Sequence, residues 1–245
     1  MRNILAVARR ELFAYFGSPV AYIAIAVFLV LLGVTFFFKI PFLLPKEDFF
    51  EAKEATLRPL FEWMVFLFTI ILPAVSMRLL AEERKLGTME LLLTLPVTEA
   101  EVVLGKLFGA FGFLAVATGL TLSYPISVSL LGRPDLGPVL GGYFGVLLIG
   151  SAYLAVGLLA SSWTHSQIVA FILAILICAF FTFIDRLPEA FGWHSIQAFD
   201  LVSFNHHFRS IARGVIDSRD VVFFLSVITG AVVLSSYSLE ARKWK

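Results

Sequence analysis

The chain has 245 residues, of which 59% are hydrophobic and only 15% are charged, and its formal net charge is +1. A mean hydropathy of +0.91 lies far from that of ordinary soluble domains and places the chain in a lipid bilayer. Because the net charge is near zero and no stripe of Lys and Arg alternates with aromatic residues, we expect no nucleic-acid partner.

The N-terminal segment, 1–17, predicts a helix that lies in the membrane interface. Arg9 and Arg10 stand at the edge of an apolar stripe with helical spacing, formed by Ile4, Leu5, Ala8, Leu12, Tyr15 and Phe16. Gly17 supplies a helix stop and Pro19 suits the first turn of a new helix, so we expect an elbow that leads into the membrane. A frayed tail is the alternative interpretation.

Six apolar windows are each long enough to cross a hydrocarbon layer of about 30 Å, which takes roughly 20 helical residues. Their continuous apolar character predicts helices, since barrel strands would alternate lipid-facing and lumen-facing residues. The first window is too long for the core of a signal peptide. We therefore predict an all-α polytopic membrane protein in which residues 1–245 form one domain. The windows are approximately Pro19 to Phe38, Phe61 to Leu80, Leu104 to Leu131, Gly137 to Ser161, Gln167 to Ile184 and Val221 to Leu239.

The connector between the second and third windows has the charged and patterned sequence EERKLGTMELLLTLPVTEAEVVLGK. Thr98 and Glu101 match a capping box, which predicts that a helix begins there. Gly87 breaks the helix that leaves the second span, and Pro96 ends the leucine-rich segment 88–95. A connector built in this way suits a segment that a partner pushes. An interfacial helix that merely fills the gap agrees with the same residues equally well.

The remaining connectors leave the orientation open, because the two sides carry nearly equal numbers of Lys and Arg. An even number of spans nevertheless places both termini on the same side. In the connector 185–220, His194, His206 and His207 have no Cys or carboxylate at helical spacing, which favours a polar surface over a metal site. Cys178 falls inside the fifth window and predicts a small, packed hydrophobic side chain.

Packing explains the polar and small residues within the windows, including Gly141 and Gly145 in a G-x-x-x-G arrangement. Pro73 and Pro125 predict kinks, which act either as moving joints or as fixed bends. No Asp, Glu, Lys or Arg lies centrally in a window, which disfavours ion-coupled transport and metal passage. The almost wholly apolar fifth window suits a lipidic or amphipathic cargo, or simple contact with lipid.

Several motifs together resemble the ABC-2 type ABC transporter permeases. The connector contains five short motifs in a fixed order, the last of them at the start of the next span. They are EER (Glu82-Glu83-Arg84), GT (Gly87-Thr88), E-LL (Glu90-Leu91-Leu92), the proline Pro96 and GK (Gly105-Lys106). The Arg-rich elbow, the sequence GSPVAY that follows it, the six spans and the long connector before the sixth are most similar to the branch of gliding-motility-associated permeases.

The resemblance implies a role for three segments. It makes 1–17 an interfacial elbow with Arg9, Arg10, Gly17 and Pro19, and it makes 185–220 an extracellular or re-entrant connector. It makes 82–103 a cytoplasmic coupling segment that contacts an ATPase subunit, and the implied coupling residues are Glu82, Glu83, Arg84, Gly87, Thr88, Glu90, Leu91, Leu92, Pro96, Thr98 and Glu101. Both termini then lie in the cytoplasm, and the chain resides in the inner (cytoplasmic) membrane of a bacterial or archaeal cell.

The sequence has no phosphate-binding G-x-x-x-x-G-K-[ST] motif, since Leu107 follows its only Gly-Lys pair. We therefore expect no enzymatic activity, metal site or bound cofactor in this chain, and we expect ATP and Mg to bind a separate ATPase subunit. The resemblance also implies a second permease copy or a homologous permease and surrounding membrane lipid, and it leaves room for an accessory extracytoplasmic subunit.

The expected function is that of a transmembrane permease subunit which exports a lipidic, amphipathic or glycan-like substrate. The alternative is a non-transporting membrane scaffold or mechanotransducing subunit that couples a cytoplasmic ATPase to an extracytoplasmic partner. A response of ATP hydrolysis to a candidate cargo separates the two hypotheses.

Overall fold

The computed structural model describes residues 2–37, 56–87, 98–132, 135–190 and 197–241. These residues form twelve α-helices and one short 3₁₀ turn, Ile184–Arg186, and no strand occurs among them. The predicted all-α class is therefore confirmed. The helices are α1 (Arg2–Phe16), α2 (Pro19–Phe37), α3 (Arg58–Ser76), α4 (Arg78–Lys85), α5 (Glu99–Leu120), α6 (Ser123–Leu131), α7 (Leu136–Trp163), α8 (Gln167–Phe183), α9 (Leu187–Ala190), α10 (Gln197–Val202), α11 (Phe204–Ala212) and α12 (Ser218–Glu240).

Six helical segments among the described residues are long and apolar enough to cross a membrane, which confirms the six predicted spans. They are α2, α3 with α4, α5 with α6, α7, α8 with the 3₁₀ turn, and α12. We call the end of the bundle where α12 finishes the terminal end, and we call the other end the opposite end. The chain is a multi-pass membrane protein.

The fourth span, α7, occupies the centre of the bundle and contacts α3, α5, α8, α11 and α12. About four fifths of its apolar window, 78%, is buried, whereas the windows of α2, α8 and α12 are no more than 28% buried. Small residues make this central position possible, because a Cβ at Gly150 would stand only 2.7 Å from Leu114 Cδ2 of α5. The three outer spans expose their apolar faces to the surroundings of the bundle.

The helix of the second span is interrupted at Met77, between α3 and α4. Met77 donates its amide to the Pro73 carbonyl at 2.9 Å. Ser161 of α7 accepts hydrogen bonds from the Leu80 and Ala81 amides through its Oγ, at 3.0 and 2.9 Å. A side chain of the central span thus satisfies amides at the start of α4, where a helix has no acceptors of its own. These contacts stabilise the junction of α3 and α4, whereas α3 continues through Pro73, so the kink predicted at that proline stays a prediction.

The third span breaks between α5 and α6, four residues before Pro125. Proline has no amide hydrogen, so the Thr121 carbonyl loses the hydrogen bond that it would accept in a continuous helix. That carbonyl accepts hydrogen bonds from the Tyr124 amide and from the Tyr143 hydroxyl of α7, both at 3.0 Å. The helix is therefore interrupted where Pro125 predicts it, and a neighbouring span supplies one of the two donors.

The connector before the last span corrects one prediction. His206 is exposed, but His207 is buried, with 9% of its surface exposed. His207 Nδ1 lies 2.7 Å from Asp220 Oδ1, its Nε2 lies 3.1 Å from the Leu201 carbonyl oxygen, and its ring stacks on Phe223. The prediction of a polar surface is wrong for His207, because its carboxylate partner belongs to α12 and not to its own helix.

The packing predictions for Cys178 and Gly141 agree with the structure. Cys178 is fully buried in the apolar core. A Cβ at Gly141 would stand 3.0 Å from Gly214 Cα, so this glycine admits the loop that follows α11. No group of three or more His, Cys, Asp or Glu within the described ranges is placed to hold a metal ion, and His194 lies outside those ranges.

Candidate functional site

The candidate site lies at the terminal end, where α1 packs lengthwise on the first half of α5. Glycines of α5 allow this approach. A Cβ at Gly105 would stand 2.6 Å from Val7 Cβ, and one at Gly109 would stand 2.5 Å from Glu11 Cβ. Both distances are well below van der Waals contact, so a larger residue at either position would force the helices apart. The two backbones therefore meet closely over at least one helical turn.

Four charged side chains join α1, α4 and α5, and we call them the charge cluster: Arg10, Glu11, Glu83 and Lys106. Lys106 Nζ lies 2.8 Å from Glu11 Oε1 and 2.9 Å from Glu83 Oε1. Arg10 Nη2 lies 2.8 Å from Glu83 Oε1 and 3.1 Å from Glu11 Oε1. The two cations and two carboxylates balance, so the charge cluster is neutral as a whole.

Burial differs strongly within the charge cluster. Only 1% of the Lys106 side chain is exposed, compared with 13% for Glu11 and 17% for Glu83. An ammonium group withdrawn from water is tolerated only with compensating charge, and the two carboxylates supply it. Partial burial lowers the pKa of Arg10, but Glu11 and Glu83 outweigh that effect and raise its pKa above the ordinary value. Arg10 thus remains a cation at the solvent-facing edge.

Hydrogen bonds around the charge cluster attach the same helices to the core. The Arg84 guanidinium of α4 donates to the Ser162 carbonyl near the end of α7, where the helix dipole favours a cation. The Ser238 hydroxyl of α12 donates to the same carbonyl at 3.1 Å. On the other side, the Tyr15 hydroxyl of α1 donates to the Val75 carbonyl of α3 at 3.0 Å. The elbow and α4 are therefore both connected to membrane spans.

The capping box predicted at the start of α5 is confirmed. Thr98 Oγ1 accepts from the Glu101 amide at 3.3 Å, and Glu101 Oε2 accepts from the Thr98 amide at 3.1 Å. The structure adds a contact that the sequence pattern does not show, because Asn3 Nδ2 of α1 donates to the same Glu101 oxygen at 3.2 Å. The first turn of α5 is thus fixed by its own cap and by α1.

A family model described as ABC-2 family transporter protein matches residues 5–199. The match covers most of the chain and includes α1, the charge cluster and the first five spans. The chain belongs to the ABC-2 family of transporter proteins. It is therefore a permease subunit of an ABC transporter. It matches no curated protein sequence.

Family membership confirms the resemblance to ABC-2 type permeases, whereas the assignment to the gliding-motility branch stays a prediction. ABC-2 permeases are the membrane subunits of their transporters, which agrees with a transport role for this chain. The structure describes the positions of only some of the coupling and elbow residues that the resemblance implies. Their roles in transport stay predictions.

The implied coupling residues of this ABC-2 permease have different surroundings, and five of them lie outside the described ranges. Glu83 and Arg84 bind partners inside the bundle, whereas Glu82 is half-buried on α4. Gly87 adopts a left-handed φ of 70° just after α4 ends, which confirms the predicted helix stop. The residues Thr88, Glu90, Leu91, Leu92 and Pro96 lie outside the described residues.

The break between α1 and α2 falls where the sequence predicts the elbow. The apolar side chains of α1 lie in two different surroundings. Leu12 and Tyr15 face the protein, whereas Leu5 and Phe13 are 70% and 63% exposed. The Arg9 guanidinium lies 5.5 Å from the centroid of the Phe13 ring. The outer face of α1 therefore presents two apolar side chains and one cation, an arrangement that suits a membrane interface.

Sequence reasoning missed two members of the charge cluster, Glu11 and Lys106, and the glycines that admit α1. A signal for each was present. Glu11 interrupts the apolar stripe of α1, and Lys106 stands just inside an otherwise apolar span, so each required a partner of opposite charge. Gly105, Gly109 and Gly112 recur at helical spacing on one side of α5, a pattern that indicates close packing by another helix.

Proposed function

We propose that this ABC-2 permease exports a lipidic, amphipathic or glycan-like substrate with energy from ATP that a separate ATPase subunit hydrolyses. The charge cluster is the observation that supports this proposal most directly. The segment 88–97, which we propose as the ATPase contact, is flanked by α4 and α5, and each of these helices contributes to the cluster through Glu83 or Lys106.

The described contacts provide a route from segment 88–97 into the membrane. A push on this segment reaches the second and third spans directly, since α4 and α5 belong to those spans. Lys106 passes the displacement to α1 through Glu11. Ser161 and Arg84 connect α4 to α7, the central span. We therefore propose that the elbow, the second and third spans and the central span respond together when the ATPase closes on its nucleotide.

This role sets the orientation and the location that we propose. ATP is available in the cytoplasm, so the terminal end, with the charge cluster and both termini, faces the cytoplasm. The protein then resides in the cytoplasmic membrane of a bacterial or archaeal cell, and the connector 185–220 lies on the external side. No bound nucleotide is proposed for this chain.

The fifth span supports a proposal about the cargo and the second permease copy. One face of α8 carries Ile168, Ile172, Leu176 and Phe180 at intervals of four residues, and each of them is at least 48% exposed. A wholly apolar ridge of this kind fits lipid chains and a second apolar helix equally well. We propose that α8 contributes to the contact between two permeases, where a lipid-like cargo passes.

Co-purification and ATP hydrolysis test the coupling. The tagged chain is purified from its own membranes with the ATPase that accompanies it, and the complex is reconstituted in liposomes. Glu90→Lys should lower ATPase association because it reverses a charge at the proposed contact. Replacement of residues 88–95 by a Gly/Ser linker should abolish stimulated hydrolysis. Thr98→Ala is the comparison variant: it removes a helix cap, which typically costs about 1 kcal/mol, but no docking group, so coupling should weaken only in part.

The outcomes separate the hypotheses. If the Gly/Ser variant binds its ATPase and hydrolyses ATP like the wild type, segment 88–97 is only a linker and the proposal is refuted. If hydrolysis in the intact complex does not respond to lipid or glycan cargo, a scaffold that transmits force without moving solute replaces the exporter.

A further inference from the structure

A cavity of about 230 Å³ lies at the elbow, between the end of α1, the first turns of α2 and the last turns of α3. Ala21 and Ala24 of α2 and Ile71 and Ala74 of α3 form much of its wall. One ordered water needs roughly 15 Å³ and several polar partners, so an apolar space of this size is poorly suited to water. Its walls suit hydrocarbon instead.

Polar groups are concentrated at one end of this cavity, where Ser18 and Arg78 contribute to the wall. Arg78 is the first charged residue after the apolar run of α3, and Ser18 lies in the break between α1 and α2. Both therefore mark the depth at which the apolar part of the bundle ends. The cavity has the polarity of a lipid, with an apolar body and a polar head.

The Arg78 side chain is half-buried and has no polar partner among the residues that the structure describes. Glu82, one turn further along α4, is the nearest carboxylate in sequence and does not pair with it. Ser18 Oγ accepts a hydrogen bond from the Val20 amide at 3.3 Å, which leaves its own hydrogen free to donate. A cation and a hydroxyl donor thus face the same space.

The cavity opens toward the outside of the bundle. Val20 and Ile70 lie on its wall and are 49% and 42% exposed, and each belongs to an apolar span. A molecule therefore enters this space from the hydrocarbon layer without passing through the protein interior. An amphiphile of the adjacent leaflet can place its chain in the opening and its headgroup near the Arg78 guanidinium at the same time.

We propose that the cavity binds one anionic phospholipid of the leaflet next to the terminal end, with an acyl chain between α2 and α3 and its phosphate against Arg78 and Ser18. The planar guanidinium matches the geometry of phosphate oxygens and forms paired, charge-assisted hydrogen bonds with them. A headgroup that lacks a cationic amine leaves the phosphate charge uncompensated, which increases the attraction to the guanidinium. This site is independent of ATP-driven export, since it concerns binding alone.

Native mass spectrometry of the full-length permease tests the headgroup part of the site. The protein is equilibrated in an equal mixture of phosphatidylglycerol and phosphatidylcholine, and the lipid that stays bound is counted. One cation near a membrane surface favours an anionic lipid by about fivefold, so Arg78→Gln should reduce the preference for phosphatidylglycerol by that factor. Arg78→Lys should keep most of the preference. Arg58→Gln, an exposed arginine at the other end of α3, should leave it unchanged.

A matched pair on α2 tests the acyl-chain part. Ala24 lines the cavity, whereas Ala26 is exposed on the same helix and does not line it. Ala24→Phe should fill the space and lower the retention of both lipids several-fold, and Ala26→Phe should retain lipid like the wild type. Arg78→Gln removes no packing group of the core, so it decides the question even where Ala24→Phe fails to insert.

The proposal is overturned if Arg78→Gln prefers phosphatidylglycerol as strongly as the wild type does. It is also overturned if Ala24→Phe retains as much lipid as the wild type. A third contrary result is that these variants no longer pair with a second permease while the amount of bound lipid is unchanged. ATP hydrolysis of the same complexes is measured separately. If Arg78→Gln or Ala24→Phe binds less lipid but hydrolyses ATP normally, the lipid site is supported. If the Gly/Ser variant of 88–95 loses hydrolysis but binds lipid normally, the result bears only on the proposed coupling.

Discussion

Two buried ionic sites stand at opposite ends of the bundle, and they are built differently. The charge cluster at the terminal end places Lys106 between two carboxylates from two helices, with Arg10 at its edge. At the opposite end, His207 pairs with Asp220 beside the ring of Phe223, and Arg209 lies 3.9 Å from Asp185. The second Asp220 oxygen has no hydrogen-bond partner among the residues that the structure describes.

The difference shows what each site is suited to do. The charge cluster has equal numbers of cations and carboxylates and joins α1 to α4 and α5, the helices on either side of segment 88–97. A displacement of that segment would therefore change the distances between the charged side chains. The His207 pair joins α11 to α12, and Asp185 holds α11 from the fifth span through Asn205, at 3.2 Å. We therefore expect loss of the charge cluster to weaken coupling and stability together, and loss of His207 to weaken stability alone.

The largest expected effect belongs to Lys106→Met. This change keeps the approximate length of the side chain but removes the buried cation that contacts both Glu11 and Glu83. Removal of one partner from a buried ionic group typically costs about 3 to 5 kcal/mol. We expect a large fall in the midpoint of thermal unfolding in mild detergent, and we expect ATPase stimulation to be lost in the molecules that remain folded.

The double variant Lys106→Met with Glu11→Gln is the control for charge balance. It leaves one cation, Arg10, with one carboxylate, Glu83, and should recover part of the lost stability. A double variant as unstable as Lys106→Met alone would show that packing of the lysine stem, and not compensation of charge, holds these helices together.

A smaller effect is expected for His207→Phe at the opposite end. The new ring still stacks on Phe223, but the Asp220 carboxylate stays buried without its partner, at a cost of about 3 kcal/mol. Replacement of both partners, His207→Phe with Asp220→Leu, should restore most of the unfolding midpoint. ATP hydrolysis per folded complex should be normal in both variants. Reduced ATP hydrolysis in either His207 variant would contradict the expectation that only the charge cluster affects coupling.

The smallest expected effect is that of Gly109→Ala, which tests the packing beneath the charge cluster. The added Cβ would meet Glu11 Cβ at 2.5 Å, so α1 must shift away from α5. Overpacking of this kind typically costs about 2 kcal/mol. Gly230→Ala on α12 is the matched control, because nothing lies within 4 Å of its added Cβ. Equal unfolding midpoints for the two variants would contradict the close contact of α1 with α5.

Local sequence signals determined much of this fold. Each span is a continuous apolar run, and burying about 20 apolar residues in lipid requires no information from the rest of the chain. The helix stop at Gly87 and the cap at Thr98 depend on a few neighbouring residues, so they were also readable. The interruption of the third span before Pro125 follows from a missing amide hydrogen.

Only the tertiary structure decided which distant residues meet. Glu11 and Lys106 are 95 positions apart in the chain, and His207 and Asp220 come from different helices, so no local spacing pairs them. The choice of α7 as the central span depends on how all six spans fit around its small residues. The elbow cavity likewise exists only because α1, α2 and α3 converge there. Apolar content fixes that a segment enters the membrane, whereas packing and charge compensation between segments fix its neighbours.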